Sequence, residues 1–309
     1  MPSSGGPLGW TIFGVVVAVM LALDLGIFHR KAHVVRAREA LVWSLVWIGL
    51  ALLFNLGIYL RMGADHGLEF FQAWLIEKAL SVDNLFVFLA AFSFFAVPEE
   101  LQHRVLFWGI LGALVTRGIF IALGAALLAA FHWVTYIFGV FLVITGGRLL
   151  FGSDEEIHPE KNPVLGLFRR LIPTTSDYDG PHFVVRRAGR LMATPLLMVL
   201  VVIEASDVVF AVDSIPAVFG VTRDVFIVYT SNIFAVLGLR ALCFLVAQLV
   251  RRLRYLKTAL ALVLAFVGGK MLIADRYHIS DTVSLAVVGG LIGIAAILSL
   301  IIPPKKKAA

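Results

Sequence analysis

Apolar runs about as long as a bilayer is thick recur along the whole chain. A transmembrane helix needs roughly 20 consecutive apolar residues, and windows of that length fit nine places in the sequence. These windows lie near residues 8–28, 40–62, 68–95, 105–128, 132–151, 193–220, 225–250, 255–274 and 282–302. The sequence therefore predicts an all-α polytopic transmembrane helical bundle of about nine spans, with residues 1–309 forming one transmembrane domain.

The overall composition excludes soluble classes of protein. Hydrophobic residues make up 60% of the chain and charged residues 15%, whereas soluble domains contain about 45–50% and about 25%. A soluble enzyme is therefore excluded, and we expect no enzymatic activity and no resident cofactor. The chain has one cysteine, Cys243, which excludes intramolecular disulfides and thiolate metal clusters.

Basic residues alternate between the loops in a way that indicates the orientation. Of the 26 Lys and Arg, 18 lie in alternate loops and the C-terminal tail, and three lie in the opposite loops. Because cytoplasmic loops carry the excess of Lys and Arg, we expect an external N-terminus and a cytoplasmic C-terminus in the plasma (inner) membrane. In the one long loop, 152–192, the segment Val164–Ile172 either lies along the membrane surface or is an ordinary basic loop.

An internal repeat divides the chain. Glu77–Leu85 (EKALSVDNL) is similar to Asp207–Ile215 (DVVFAVDSI), an arginine follows in the next span of each copy, and GGRLL at 146–150 corresponds to GGKML at 268–272. Each copy holds three spans, so the second enters the membrane from the opposite side, which gives an inverted 3+3 repeat typical of secondary transporters. A duplicated bundle with a purely structural role is the alternative. The predicted units are two N-terminal spans (1–66), repeat 1 (67–151), a cytoplasmic loop (152–192), repeat 2 (193–276), and the last span with a basic tail (277–309).

Six acidic residues fall inside the predicted spans, where an unpaired carboxylate costs at least ~2.5 kcal/mol. Three cations accompany them, Lys78, Arg117 and Arg240, and three cations cannot neutralise six carboxylates. A cation or proton pathway is therefore favoured over pairing that only holds helices together. Asp24 is close enough to the end of the first span for solvation to be an equal alternative. The six acids are Asp24, Glu77, Asp83, Glu204, Asp207 and Asp213.

Helical geometry separates these acids into two directions. The first acid of each repeat copy shares a helix face with the small polar residue seven positions later, whereas the second acid points about 100–120° away. Pro216 also removes a backbone donor from the sixth span. We therefore predict that the third and sixth helices are distorted near Asp83–Asn84 and Asp213–Ser214, at the membrane midplane, so that all the carboxylates face one cavity. The residues on the shared faces are Glu77, Asn84, Asp207 and Ser214.

The side-chain chemistry favours a hard cation. Carboxylate, amide and hydroxyl oxygens suit Mn²⁺, Mg²⁺ or Ca²⁺. None of the eight histidines lies mid-span, so Zn²⁺ and Cu⁺ are poor candidates.

Three long stretches resemble the TerC family of integral membrane proteins, and the HRKAH segment after the first span resembles its Alx-like branch. The likeness covers about residues 20–275 and rests on DLGIFHRKAHVVRAREALVWSLVWIGLALLFNLGIY, FFQAWLIEKALSVDNLFVFLAAF and TPLLMVLVVIEASDVVFAVDSIPAVFGVTRDVFIVYTSNIFAVLGLRALCF. The resemblance implies a place among LysE-type exporters, an association with manganese export and, historically, with tellurium resistance. It also implies a metal site in the third and sixth spans. The implied ligands are Glu77, Asp83, Asn84, Glu204, Asp207, Asp213 and Ser214.

Together these observations predict a secondary transporter that exports a hard divalent cation, Mn²⁺ above all, in exchange for protons. Metal and protons would compete for the same oxygens, which titrate as a coupled group. The expected partners are membrane lipid, the divalent ion and protons, with no nucleic acid. A membrane scaffold for tellurium or stress resistance and a cation channel are the alternatives. Asp24 joins the predicted metal site as its eighth residue.

Overall fold

The computed structural model describes residues 3–28, 37–131, 133–151, 172–187, 189–249, 255–274, 276–277 and 279–301. Within these ranges, the side chains of residues 23–28, 37, 82, 83, 86, 245–249, 256, 257, 281 and 300 are not described. The predicted surface segment Val164–Ile172, apart from its last residue, lies outside the described residues. The side chains of Asp24 and Asp83 do so as well, although both residues belong to helices.

The helices follow the apolar runs closely. Within the described residues, five helices are long and apolar enough to cross a membrane, and three others contain shorter apolar stretches. This confirms the predicted helical membrane bundle. The helices are α1 (Gly6–Phe28), α2 (Ala37–Met62), α3 (Ala64–Phe94), α4 (Glu99–Ala130), α5 (Val134–Phe151), α6 (Pro195–Phe219), α7 (Val225–Leu237), α8 (Leu239–Leu249), α9 (Leu256–Ile273) and α10 (Asp281–Ile301).

Local sequence signals set several of the helix ends. Gly63 separates α2 from α3 with a φ of 99°, a left-handed conformation that glycine adopts without strain. Pro195 opens α6, where its missing N–H has no helical partner to lose. Asp224 precedes α7, and its carboxylate accepts hydrogen bonds from the backbone N–H groups of Phe226 and Ile227, which is the usual N-cap arrangement.

The predicted distortion of the third and sixth spans is wrong. Both α3 and α6 are continuous, and α6 runs through Pro216 to Phe219. Pro216 lacks the N–H that would bond the carbonyl four residues earlier, yet the helix continues for about one further turn, to Phe219. The interruption lies in the seventh predicted span instead, at Gly238 between α7 and α8.

A small β-hairpin, which the sequence reading did not predict, stands before α6. Strands β1 (Val184–Arg187) and β2 (Arg190–Ala193) pair antiparallel, and Gly189 in the turn has a φ of 77°. The segment is anchored to the bundle, because the Tyr178 hydroxyl donates to the carbonyl oxygen of Phe95 at 2.8 Å. Burial raises the pKa of that hydroxyl. Part of the predicted loop 152–192 is therefore an ordered cap on one end of the helices.

The helices of the two predicted repeats pack in corresponding pairs. Helix α3 packs on α6 and α7, α4 packs on α6 and α7, and α5 packs on α9. Glycines bring α5 and α9 together, since a Cβ at Gly146 would lie 2.6 Å from the carbonyl oxygen of Ala261. A Cβ at Gly268 would likewise lie 2.6 Å from the carbonyl oxygen of Gly139. Small residues allow the close backbone approach that stabilises helix pairs in membranes.

Candidate functional site

A buried arginine joins the two halves of the bundle. Arg117 projects from α4, is 0% exposed, and forms ion pairs with Glu77 on α3 and Asp207 on α6. Its Nη2 lies 2.9 Å from Asp207 Oδ1 and its Nε lies 3.3 Å from Asp207 Oδ2. Its Nη1 bonds to Glu77 Oε1 and also to Asn232 Oδ1, at 3.0 Å, on α7. One guanidinium therefore connects four helices.

A cavity of about 140 Å³ lies beside this ion pair. Five helices contribute to its wall, which combines acidic, amide and hydroxyl groups with a few apolar side chains. Its polar lining residues are Glu77, Asn84, Arg117, Thr145, Asp213 and Ser214, and its apolar lining residues are Leu80, Leu149, Phe210 and Leu264. The cavity thus brings together four of the residues that the sequence assigned to a metal site: Glu77, Asn84, Asp213 and Ser214.

Asp213 reaches this cavity although α6 is not unwound. Phe210, Asp213 and Ser214 lie on one side of α6, as residues three and four apart do on any helix. The cavity extends from α3 to α5, where Thr145 lies close to Asp213. A wall that spans several helices makes the predicted unwinding unnecessary.

Several buried polar atoms in and around the cavity have no hydrogen-bond partner among the described residues. They include Oε2 of Glu77 and the hydroxyl oxygen of Ser214, both on residues that are at most 2% exposed. The Nδ2–H group of Asn84 donates a hydrogen bond to Asp207 Oδ1 at 3.4 Å. The side-chain carbonyl oxygen of Asn84 is therefore the atom available to a cation. Unpaired buried polar groups cost stability, so such atoms around a cavity are typical of a site that binds a polar ligand.

The remaining predicted site residues stand apart from the cavity. Asp207 is held by Arg117 and Asn84. Glu204 is half-buried and packs against Gly112 of α4, where a Cβ would overlap its carboxylate. Among the described side chains, no three His, Cys, Asp or Glu residues form a metal-binding group. The side chains of Asp24 and Asp83 lie outside the described residues, so their predicted roles stay predictions.

Lys78, next to Glu77 in sequence, points in another direction. Its Nζ donates to the carbonyl oxygen of Ala235 at 3.0 Å, and a Cβ at Gly238 would lie 2.7 Å from this Nζ. The ammonium group therefore sits at the interruption between α7 and α8. It satisfies a backbone carbonyl there instead of neutralising an acid of the cavity.

Asn232 and Thr145 belong to the site but were missed in the sequence. The sequence prediction rests on charged residues within spans, and both of these side chains are neutral. Asn232 is 0% exposed and lies in the run Thr230-Ser231-Asn232 of the seventh span. Three consecutive polar residues in an apolar helix are a usable signal, because polar side chains in membrane helices usually face a partner or a cavity.

Comparison with known proteins places the chain in a family. Residues 62–307 match the Integral membrane protein TerC family. The chain is 53% identical over 300 residues to "Uncharacterized membrane protein STKORF319" of Myxococcus xanthus, covering 97% of this chain and 94% of that protein. It is 47% identical over 308 residues to "Putative membrane-bound redox modulator Alx" of Escherichia coli (strain K12), covering 97% and 96%. No solved structure matches the chain. The resemblance of its motifs is thereby confirmed, and the chain belongs to the TerC family of multi-pass integral membrane proteins.

Proposed function

We propose that the protein is a secondary transporter that exports a hard divalent cation, Mn²⁺ in particular, in exchange for protons. The observation that carries the proposal is the cavity beside Arg117. Its lining combines two carboxylates with an amide and a hydroxyl, and the buried Glu77 Oε2 and Ser214 Oγ lack partners among the described residues. Oxygen ligands of this kind suit Mn²⁺, Mg²⁺ and Ca²⁺.

Within this proposal the predicted ligands take different roles. Glu77, Asn84, Asp213 and Ser214 bind the ion, because they line the cavity. Asp83, adjacent to Asn84, remains a candidate ligand on the sequence prediction alone. Asp207 acts as the counter-ion of Arg117, and Glu204, one turn before it on α6, stands outside the lining of the described cavity.

The charge of the site supports a cation over an oxyanion. Glu77 and Asp213 line the cavity, Asp207 lies behind Arg117, and that arginine is the basic residue of the described lining. Charges interact far more strongly in a buried site than in water. A tellurite ion would enter against a net negative field, so a tellurium phenotype would be indirect.

A redox role, which the name of the E. coli relative states, has less support in this chain. Intramolecular dithiol chemistry needs two cysteines, and the sequence contains one. Cys243 is also buried. We therefore attribute any redox effect to the transported metal.

We also propose that the cavity lies between two inverted repeats of three spans. The support comes from reciprocal packing of α5 and α9: Gly146 meets Ala261 and Ala265, and Gly268 meets Gly139 and Val143. The two glycines are 122 positions apart, and moving back by the same 122 positions from Ala261 and Ala265 gives Gly139 and Val143. Such reciprocity is the mark of a two-fold relation, and transporters built this way bind substrate where the repeats meet.

We further propose that the chain crosses the plasma membrane nine times, with α7 and α8 together forming the seventh span, so that the N-terminus is outside and the C-terminus is in the cytoplasm. A reporter protein fused after Lys307 should therefore give the signal expected for a cytoplasmic position. The same reporter inserted between Asp65 and His66 should give the signal expected for a position outside the membrane. Alkaline phosphatase and green fluorescent protein fusions, which are active on opposite sides of the membrane, make the measurement. Reversal at either site would break the nine-span arrangement and the inverted repeat with it.

Transport by the purified protein in liposomes tests the function directly. We expect Mn²⁺ flux that saturates with concentration and accelerates with an opposing proton gradient, because an exchanger binds both ions in turn. Flux that neither saturates nor responds to the gradient would favour the channel. Flux no greater than in protein-free liposomes would favour the scaffold. Tellurite flux in vesicles that move no Mn²⁺ would reverse the assigned charge of the substrate.

A further inference from the structure

Arg117 is bound unequally by its two acids. Asp207 receives two N–H groups, from Nε and Nη2, in the forked arrangement that makes arginine–carboxylate pairs specific. Glu77 receives only Nη1, and that nitrogen also donates to Asn232 at 3.0 Å. If Glu77 moved away, every nitrogen that now makes a bond would therefore keep a partner.

Glu77 lies between two places that a positive charge can occupy: the guanidinium of Arg117 and the cavity. Its Oε1 contacts Arg117, and its Oε2 has no hydrogen-bond partner among the described residues. The residue also lines the cavity with Asn84, Asp213 and Ser214. A divalent ion in that cavity would compete with the guanidinium for the same carboxylate.

We propose that Arg117 competes with the transported cation for the carboxylate of Glu77, so that Glu77 binds either the guanidinium or the metal, and that Asn232 sets the balance between these two states. The proposal rests on the transport function proposed above and adds a specificity-determining residue to it. In the empty site Glu77 pairs with Arg117. In the loaded site Glu77 binds the metal, while Arg117 stays with Asp207 and Asn232.

This exchange accounts for selection by charge. The guanidinium is always positively charged, so an entering ion must hold Glu77 more strongly than a fixed unit charge does. A divalent ion has twice the charge of a monovalent one and gains correspondingly more from the same carboxylate. Na⁺ and K⁺ should therefore bind weakly, although the site is acidic. A purely structural clamp would explain the ion pairs, but neither the second acceptor of Nη1 nor a Glu77 Oε2 that has no partner in the described part of the chain.

Asn232 offers the sharpest test because it contacts Arg117 without lining the described cavity. Asn232→Leu removes the alternative acceptor of Nη1 while keeping the number and branching of the side-chain heavy atoms and the charge, so Arg117 should hold Glu77 more tightly. We expect the Kd of the purified protein for Mn²⁺ to rise about tenfold. The measurement is the electron paramagnetic resonance signal of free Mn²⁺ in a titration. Thr230→Val removes a buried hydroxyl that, within the described ranges, bonds its own helix; it is the matched control and should leave the Kd within about twofold.

A second variant removes the competitor. Arg117→Gln with Asp207→Asn deletes an ion pair without changing the net charge, and it should lower the Kd for Mn²⁺ and make K⁺ an effective competitor. An unchanged Kd in Asn232→Leu, with folding verified by gel filtration, would overturn the role of Arg117 even if the double variant did not fold. Wild-type protein that binds no Mn²⁺ would instead overturn the transport function itself, so the two failures are distinguishable.

Discussion

Transport of Mn²⁺ in liposomes should fall by at least about a hundredfold when Asp213 is replaced by Asn. The change removes one of the two acids that line the described cavity while keeping the side-chain volume, so packing is little altered. It also replaces a charged carboxylate by a neutral amide, which is a weaker ligand for a divalent cation. The measurement is initial Mn²⁺ flux per unit of reconstituted protein, with wild type in parallel.

Three further variants define how specific the loss is. Asp65→Asn neutralises an exposed acid in the first turn of α3 and should transport normally. Lys78→Gln should cause a mild loss, because Lys78 binds the Ala235 carbonyl and does not line the cavity. Asp83→Asn should match Asp213→Asn if the repeat gives both acids one role. Normal flux in Asp213→Asn would mean that the intramembrane acids are structural.

Replacing Gly146 or Gly268 by Val should lower the thermal unfolding midpoint of the purified protein by about 5 °C or more. At both positions the new Cβ would lie 2.6 Å from a backbone carbonyl oxygen of the facing helix. A backbone obstacle cannot rotate away, so α5 and α9 would have to separate. Scanning fluorimetry in detergent makes the measurement.

The adjacent glycines supply matched controls. A Cβ at Gly147 or Gly269 would have nothing within 4 Å, so Gly147→Val and Gly269→Val carry the same change of side chain without the clash. We expect both to unfold within a degree or two of wild type. If all four variants lost stability equally, the loss would come from helix propensity, and the close approach of α5 and α9 would be refuted.

The sequence predicted the helices well because membrane spans are specified by length and hydrophobicity alone. Each predicted span corresponds to one helix, except that Gly238 divides the seventh. That division depends on tertiary contacts, since Lys78 binds a carbonyl at the end of α7 from another helix. The hairpin before α6 escaped prediction for a related reason. Its anchor, the hydrogen bond from Tyr178 to Phe95, joins residues 83 positions apart.

The site was predictable in its residue types but not in its pairings. Charges inside apolar spans indicated Glu77, Asp207 and Asp213, because burying them without a function is costly. Periodicity on single helices could not show that Asp207 pairs with Arg117, nor that Asp213 reaches the cavity from an unbroken α6. Both results depend on how neighbouring helices are placed, which no pattern within one helix contains.

The pairing of α5 with α9 also affects how the chain matures. Helix α9 begins at Leu256, 105 residues after α5 ends at Phe151. At the rate of protein synthesis, about 5–20 residues per second, the ribosome begins α9 roughly 5 to 20 s after it has completed α5. During that interval the glycines of α5 are not yet covered by α9, so other helices and membrane proteases can contact them. Ribosome stalling or truncation between these two helices should therefore yield fragments that are degraded rapidly, however well their own spans insert.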